Sequence, residues 1–334
     1  MSAAQSLVNS VVLGTRLGDW NIATLSAVVG GLYLARLAFS FLQVIYDSYL
    51  AIGSNIHAWG GGKGGWVVVT GASDGIGKEF ALQLAKAKYN VFLLARSQDK
   101  LEAVAEEARK SGVQAIAYPF DFSTAIRPDY VGLATRLESL PVGILINNVA
   151  MNHEGPTPFL DESDELIQNI VNVNILAQLK ITKIVLPQMV TRKKGLILNV
   201  GSVSGQVPSA YIADYSGSKA FVRSWSQALA MELKNTGIHV EHLNAYFVVS
   251  NMSKIRKPSW TTPLARDWVR SVLAGVGTSI NRTPYPSHAL ISWALTTFFS
   301  EQAAISQSAK IHLSIRKRYL KKQQRLASEA KRSE

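Results

Sequence analysis

The sequence predicts an α/β protein with a doubly wound parallel sheet and an N-terminal transmembrane helix. Three observations predict this fold: short β-branched runs alternate with longer helical segments, a Gly-rich turn follows the first run, and an apolar stretch precedes the series. Strands and helices that alternate in this way form parallel sheets with helices on both faces. The 334 residues suffice for one large domain with extensions or for two small domains.

The composition excludes several classes of protein and of site. Hydrophobic residues make up 47% of the chain and charged residues 17%, which excludes a disordered chain and favours contact with lipid. The chain has no cysteine, so disulfides, thiolate metal sites and cysteine nucleophiles are excluded. Its six histidines lack ligand spacing, and no metal is predicted.

The first element is a predicted transmembrane helix over residues 22–46, between an N-terminal segment, 1–21, and a linker, 47–65. About 20 apolar residues cross a bilayer, and aromatic residues near both ends favour its interfaces. Arg36 inside the segment costs about 2.5–3.5 kcal/mol on insertion scales. A helix packed on the globular domain is therefore the alternative interpretation.

A catalytic domain is predicted over residues 66–255, built from six apolar runs that end at turn-forming or polar residues. The predicted strands are 66–69, 91–95, 115–120, 143–146, 195–200 and 239–246. The longer segments between them predict the helices 75–85, 99–110, 166–189 and 215–234.

Two further segments follow the predicted catalytic domain. Residues 256–309 form an extension that serves the substrate or the membrane, and its apolar helix over 287–300 is too short to span a bilayer comfortably. That helix lines an acyl pocket, rests on the membrane or closes the core. The tail 310–334 carries nine Lys/Arg and two Glu, a charge suited to anionic lipid or nucleic acid, or to a solvated helix.

A cofactor site is predicted at residues 70–77, whose letters TGASDGIG have the spacing TGxxxGxG. Glycines at this spacing allow a tight turn and a close backbone approach, so the next helix N-terminus can face a pyrophosphate. The turn lies between a buried strand and a helix, the context that separates such a motif from a plain turn. The predicted contacts in this turn are Gly71, Ser73, Asp74, Gly75, Ile76 and Gly77.

The end of the second strand indicates which nicotinamide cofactor binds. An acidic residue there would bond the ribose 2′-hydroxyl of NAD, whereas this chain has Ala95 followed by Arg96. An arginine accommodates the 2′-phosphate of NADP. Asp74, an acid inside the Gly-rich turn, opposes this preference. NADPH is the predicted cofactor.

Tyr215, Lys219 and Ser202 form the predicted catalytic set. Tyr215 and Lys219 are four residues apart in a helical segment, so they share one face. A neighbouring ammonium lowers the pKa of a phenol, ordinarily about 10, towards the range in which it exchanges protons. Ser202 follows a buried strand, and its hydroxyl can hold a substrate carbonyl. Tyr215 and Lys219 are also predicted cofactor contacts, Lys219 through the nicotinamide ribose.

These motifs together resemble the short-chain dehydrogenases/reductases, from residue 66 to about residue 250, and the resemblance implies a Rossmann-type fold. It also implies that Asn174 completes the catalytic set, with Asn172 as the competing assignment. Ala150 stands where the family's NNxG element has glycine. Further cofactor contacts that the resemblance implies are Asp121, Asn148, Val248 and Ser250.

A narrower resemblance, to the fungal very-long-chain 3-oxoacyl-CoA reductase family, rests on segments 70–86, 186–189 and 245–259 and on both chain ends. It implies NADPH-dependent reduction of a very-long-chain 3-oxoacyl-CoA to the 3-hydroxyacyl-CoA. It also implies an endoplasmic reticulum membrane location with the catalytic domain facing the cytosol, and other fatty acid elongation enzymes as partners. The last four residues, KRSE, resemble a dilysine retrieval signal.

Several alternatives remain open at this point. Lys254, Arg256 and Lys257 either receive the phosphates of coenzyme A or form a solvated basic loop. The same chemistry and anchor suit a membrane-bound hydroxysteroid or retinoid dehydrogenase. A catalytically silent scaffold of a lipid-synthesis complex is a third hypothesis. No nucleic acid partner is predicted, because it would explain neither the catalytic set nor the anchor.

Overall fold

The computed structural model describes residues 22–123 and 129–333. The chain divides into two compact units, Met1–Leu50 and Ala51–Glu334. The predicted N-terminal segment 1–21 and the last residue of the KRSE sequence lie outside the described residues.

The first unit contains the predicted apolar helix. Helix α1, Ile22–Ile45, continues into a π-helical turn at Tyr46–Leu50. The 24 residues of α1 give a length of about 36 Å, which exceeds the hydrocarbon core of about 30 Å. The stretch Ile22–Leu50 is long and apolar enough to cross a membrane by length and composition. The apolar helix is confirmed, and its insertion in a bilayer stays a prediction.

The second unit is built on one parallel sheet, which confirms the predicted fold class. In the described residues its seven strands have the order β3-β2-β1-β4-β5-β6-β7, and each neighbouring pair is parallel. The strands are β1 Trp66–Thr70, β2 Asn90–Ala95, β3 Ala115–Pro119, β4 Val142–Asn147, β5 Gly195–Val200, β6 Ile238–Leu243 and β7 Asn281–Arg282. The strand order reverses between β1 and β4, where α/β sheets of this type bind their ligands.

Helices cover both faces of this sheet. Their bounds are α2 Ile56–Trp59, α3 Gly75–Lys86, α4 Gln98–Arg109, α5 Tyr130–Glu138, α6 Asp164–Val171, α7 Ala177–Arg192, α8 Ala213–Glu232, α9 Ala265–Ala274, α10 Pro286–Phe298 and α11 Glu301–Ser333. A π-helical turn, Asn172–Leu176, joins α6 to α7, so the helix predicted over 166–189 is interrupted. The stretch Asp164–Arg192 is also long and apolar, but 44% of its most apolar window is buried in the protein, as in a core helix.

The core has two layers because side chains alternate across a strand. Val67 and Val69 of β1 pack with α3, α4 and α9 on one face. Trp66 and Val68 pack with α5, α7 and the end of α8 on the other. Both faces of β1 are buried, which explains why its sequence is a continuous apolar run.

The end of the chain is a single long helix rather than an extension followed by a tail. Helix α11 begins at Glu301 and continues past residue 310 to Ser333. This stretch contains neither glycine nor proline, so nothing in it interrupts a helix. The predicted boundary between residues 309 and 310 falls inside this helix, and the division of roles that it marks stays a prediction.

Candidate active site

The Gly-rich turn joins β1 to α3 in a conformation that other residues would disturb. Gly71 and Gly75 have positive φ angles of 66° and 55°, which side chains with a Cβ rarely adopt. A Cβ on Gly77 would collide with the backbone oxygen of Gly71. Asn148 Nδ2 donates to the Thr70 oxygen at 3.0 Å and so ties the turn to the end of β4.

A cavity of about 510 Å³ extends from this turn along the carboxyl ends of the strands. It brings together most of the residues that sequence analysis selects. Those that line it are Gly71, Ser73, Asp74, Gly75, Ile76, Arg96, Asp121, Asn148, Ser202, Tyr215, Lys219, Val248 and Ser250. Gly77 and Asn174 lie outside the lining.

Ser202, Tyr215 and Lys219 meet at the centre of the cavity. Ser202 follows β5, and its side chain hydrogen-bonds that of Tyr215. Lys219 lies one turn after Tyr215 in α8, and its Nζ is 5.8 Å from the centre of the Tyr215 ring. The same Nζ donates to the backbone oxygen of Val200 at 3.0 Å. The arrangement places one hydroxyl, one phenol and one amine around the same space.

Burial shifts the pKa values of Tyr215 and Lys219. It raises the pKa of Tyr215, although the hydrogen bond with Ser202 opposes this, and it lowers the pKa of Lys219 to about 8. Sequence analysis expects Lys219 to lower the pKa of Tyr215. In the structure, burial raises that pKa instead, since desolvation disfavours the charged form of each group. Tyr215 is consequently a protonated donor at neutral pH.

Asn174 is the buried member of the two competing asparagines. Its Nδ2 donates to Ser218 Oγ at 2.9 Å and to the Met151 oxygen at 3.0 Å, and its Oδ1 accepts the Met151 N–H at 2.7 Å. Asn172 instead accepts a hydrogen bond from Gln168 on the same helix. The π-helical turn directs the side chain of Asn174 towards α8. Asn174 thus joins the loop after β4 to the catalytic helix.

The residues expected to choose the cofactor lie at the ends of β2 and β3. Arg96 and Lys100 both line the cavity beyond β2. Asp121 Oδ1 accepts hydrogen bonds from the backbone and hydroxyl of Ser123, at 2.9 and 2.6 Å. Asp74, the acid that opposes an NADP preference, accepts a hydrogen bond from Asn251 at 2.7 Å. Asp74 therefore also serves to join the Gly-rich turn to the loop after β6.

Helix α11 supplies a wall of the cavity that is not among the predictions from the sequence. His312 and Ile315 of α11 line it, opposite the loop after β4. Arg316 Nη1 donates to the Pro156 oxygen at 2.9 Å, and a Cβ on Gly155 would lie 2.5 Å from the Tyr319 ring. The missed signal is the helical spacing of the less polar residues at positions 304, 308, 312, 315 and 319. The basic tail thus has an inner face that belongs to the site.

Helix α10 does not line the described part of the cavity. Its buried side chains are polar: Ser287, His288 and Ser292. Ser292 donates to Gln206 at 2.9 Å, next to the Ser202 loop. Phe298, at its end, is 58% exposed. These contacts pack α10 against the domain, and the exposed Phe298 at its end keeps membrane contact as a prediction.

Comparison with known proteins identifies the family. The family model described as short chain dehydrogenase matches residues 65–259. The chain belongs to the short chain dehydrogenase family. This short chain dehydrogenase is 44% identical over 308 residues to the very-long-chain 3-oxoacyl-CoA reductase of Laccaria bicolor, with 89% of this chain and 91% of that one covered. It is 42% identical over 311 residues to the protein of the same name from Podospora anserina, with 90% and 91% covered.

Solved structures of the short chain dehydrogenase family include nicotinamide complexes. The Sphingobium yanoikuyae enzyme in complex with NADPH has a TM-score of 0.60 and 29% identity, and the match covers 66% of this chain and 87% of that one. A metagenomic oxidoreductase in complex with NADP has a TM-score of 0.57 and 26% identity, with 67% and 97% covered. This short chain dehydrogenase is an oxidoreductase with a nicotinamide cofactor, and its glycine turn and adjoining cavity fit such a group.

Proposed function

We propose that this chain is an NADPH-dependent very-long-chain 3-oxoacyl-CoA reductase. The observation that carries the proposal is the meeting of Ser202, Tyr215 and Lys219 beside a glycine turn, in a chain whose similar fungal proteins bear that name. The reaction converts the 3-oxo group to a 3-hydroxy group in the fatty acid elongation cycle. The partners we propose are the substrate acyl-CoA, the endoplasmic reticulum membrane and other elongation enzymes.

Each of the three central residues has a distinct task in this mechanism. NADPH, when bound, supplies the hydride that reduces the 3-oxo carbon. Tyr215 donates its proton to the carbonyl oxygen as negative charge develops there. Ser202, which hydrogen-bonds Tyr215, donates to the same oxygen and holds it in place. The Lys219 ammonium stabilises the phenolate that remains after proton transfer.

The proposed cofactor contacts begin at the glycine turn and end beside the catalytic residues. Gly71, Gly75 and Gly77 let the backbone approach the pyrophosphate. Arg96, with Lys100 beside it in the cavity, receives the 2′-phosphate that distinguishes NADPH from NADH. The remaining proposed contacts are Ser73, Asp74, Ile76, Asp121, Asn148, Tyr215, Lys219, Val248 and Ser250.

The substrate occupies the half of the cavity between the loop after β4 and α11. Lys254 borders this half: its Nζ donates to the Glu154 oxygen and lies 5.6 Å from the Tyr319 ring. Arg256 and Lys257 are exposed just beyond it and can pair with phosphates of coenzyme A. The apolar helix α1 supports membrane anchoring, with the catalytic unit on the cytosolic side.

Purified full-length chain in detergent provides the test. NADPH oxidation is followed with a series of 3-oxoacyl-CoA thioesters of increasing chain length, with NADH in place of NADPH, and with a steroid ketone. We expect turnover to be fastest with NADPH and long acyl chains. Faster turnover of the steroid ketone would indicate a hydroxysteroid dehydrogenase instead. No turnover of any carbonyl, with NADPH still bound, would indicate a silent scaffold.

A further inference from the structure

A buried histidine connects the substrate side of the cavity to the start of the catalytic helix. His153 Nε2 lies 2.7 Å from Glu162 Oε1 and 3.1 Å from Asp214 Oδ1. The side chains of His153 and Glu162 are 1% and 0% exposed, and that of Asp214 is 8% exposed. Ligand atoms of all three lie within 4.8 Å of one another. His153 lines the cavity, and Asp214 directly precedes Tyr215.

The atoms next to the two ring nitrogens bear on the protonation state of His153. Asn152 Oδ1 accepts the backbone N–H of His153 at 2.8 Å, which identifies that atom as the amide oxygen. The same oxygen lies 3.1 Å from His153 Nδ1, so Nδ1 carries a proton. Nε2 faces two carboxyl groups. Both ring nitrogens therefore face acceptors, an arrangement that suits an imidazolium.

One carboxylate oxygen of Asp214 contacts both His153 and the backbone of the catalytic tyrosine. Asp214 Oδ1, the oxygen nearest His153, also accepts the backbone N–H of Tyr215 at 2.8 Å. We infer that His153 is a positioning residue, whose imidazolium fastens the loop after β4 to Asp214 and so holds Tyr215 at the substrate carbonyl. The inference rests on the proposed function, because its rate measurement uses the reductase reaction.

The charges around His153 agree with this role. Burial lowers the pKa of His153, but the hydrogen bonds and charges of Asp214 and Glu162 outweigh burial and raise it above the ordinary value. Burial likewise raises the pKa of Asp214, yet its hydrogen bond with His153 brings the net pKa below the ordinary value. Burial raises the pKa of Glu162. From α11, burial lowers the pKa of His312, and the charge of His153 lowers it further.

Two cations from other parts of the chain reach backbone oxygens of this loop. Arg316 of α11 contacts the Pro156 oxygen, and Lys254 contacts the Glu154 oxygen. Neither is among the groups that shift the pKa of His153. The sign of the pH effect follows from the raised pKa: the imidazolium is present at low pH and is lost as pH rises through that pKa. The contact that joins the loop after β4 to Asp214 therefore weakens as the pH rises.

The first test observes the proton directly and needs no activity. Nitrogen-15 histidine spectra of the full-length chain in detergent are recorded across pH, and the His153 signal is assigned by its loss in His153→Gln. We expect an imidazolium whose pKa lies above about 6.5. A neutral His153 ring at pH 6 would overturn the inference, whatever the substrate of the enzyme is.

The second test measures the effect on catalysis. In His153→Gln and Asp214→Asn we expect kcat to fall at least about tenfold, as misplaced catalytic groups commonly cause, while the NADPH dissociation constant stays within about twofold. In the wild type, kcat should decline at high pH as His153 loses its proton. This decline should be absent in His153→Gln. His239, which contacts Glu241 at 2.9 Å away from the cavity, provides the matched control His239→Gln. Unchanged kcat in both site variants, or an equal loss in the control, would refute the role.

Discussion

At the scale of single residues, the chemistry depends on how the interior changes the charge of each side chain. Burial raises the pKa of Tyr215, so its phenol stays protonated at neutral pH, and it lowers the pKa of Lys219 to about 8. Lys219 keeps its charge below that pH and loses it above. In the proposed mechanism Tyr215 delivers its proton to the substrate, and the Lys219 ammonium, still charged at neutral pH, stabilises the phenolate that remains. Arg96 lines the cavity beyond β2, where we propose that its charge selects the cofactor.

Replacing Tyr215 with phenylalanine removes the transferable proton and keeps the ring. We expect kcat to fall about 10²–10⁴-fold, the usual contribution of a positioned acid, with NADPH binding retained in a fluorescence titration. Tyr118→Phe is the matched control, because Tyr118 lies on β3 against Phe92, outside the cavity lining. A Tyr215→Phe enzyme with nearly normal turnover would contradict the mechanism.

Arg96→Ala should discriminate between the two nicotinamide cofactors. A hydrogen bond to a charged group contributes about 1.5–3 kcal/mol, so NADPH should bind about tenfold or more weakly, while NADH binding changes little. Dissociation constants of both cofactors are measured by fluorescence. Lys86→Ala removes an exposed cation at the far end of α3 and should leave both constants unchanged. Equal losses for both cofactors would indicate that Lys100 or the backbone of the Gly-rich turn, rather than Arg96, contacts the 2′-phosphate.

At the scale of secondary-structure elements, α11 has two faces with different tasks. Its inner face places His312 and Ile315 in the cavity and holds the loop after β4 through Arg316. Its outer face carries most of the positive charge of the chain end. Packing of the inner face stabilises the helix as far as Tyr319, since isolated helices gain little stability from propensity alone. Substrate binding should therefore depend on contacts that hold α11 in place.

Arg316→Ala tests this dependence. The change removes the hydrogen bond to Pro156 and the contact with Asp161 at 3.5 Å. We expect KM for the acyl-CoA to rise about threefold to tenfold, in line with a loss of about 1 kcal/mol, with NADPH binding unaffected. Lys317→Ala removes the same charge from an exposed neighbour and serves as the control. If both variants raise KM equally, the charge of the helix rather than its docking is responsible.

At the scale of the whole molecule, the chain combines an apolar unit with a catalytic unit. The boundary at residues 50 and 51 precedes every predicted cofactor contact, the first of which is Gly71. The sheet, both core layers and the cavity all belong to the second unit. Anchoring and catalysis should therefore be separable.

Deletion of residues 1–50 tests this separation. We expect the shortened chain to leave membranes washed with alkali or salt, whereas the full-length chain stays bound, and the released protein should still bind NADPH. Fractionation followed by a fluorescence titration measures both properties. A shortened chain that remains with the membrane would assign the attachment to α10 or α11. A full-length chain in the cytosolic fraction would exclude the transmembrane interpretation.

Much of the fold was predictable from the sequence because it is encoded in local patterns. The apolar runs, the TGxxxGxG turn and the four-residue spacing of Tyr215 and Lys219 each identify their element without knowledge of its neighbours. The family comparison confirms the fold class and the enzyme class. The roles of the individual site residues stay predictions, although the structure gathers most of them around one cavity.

The tertiary structure alone decided what depends on contacts between distant parts of the chain. No spacing rule in the sequence relates His153 to Asp214 or Pro156 to Arg316, yet the members of each pair are in contact in the folded chain. The burial of Asn174 against α8, which Asn172 does not share, depends on a π-helical turn that the apolar pattern does not reveal. The sequence by itself determined the scaffold, the apolar helix and which residues form the candidate catalytic set, because periodicity and spacing encode them. The walls of the site and the contacts that hold its loops in place were decided by tertiary packing. Side chains that are far apart in sequence interact there once the sheet has formed.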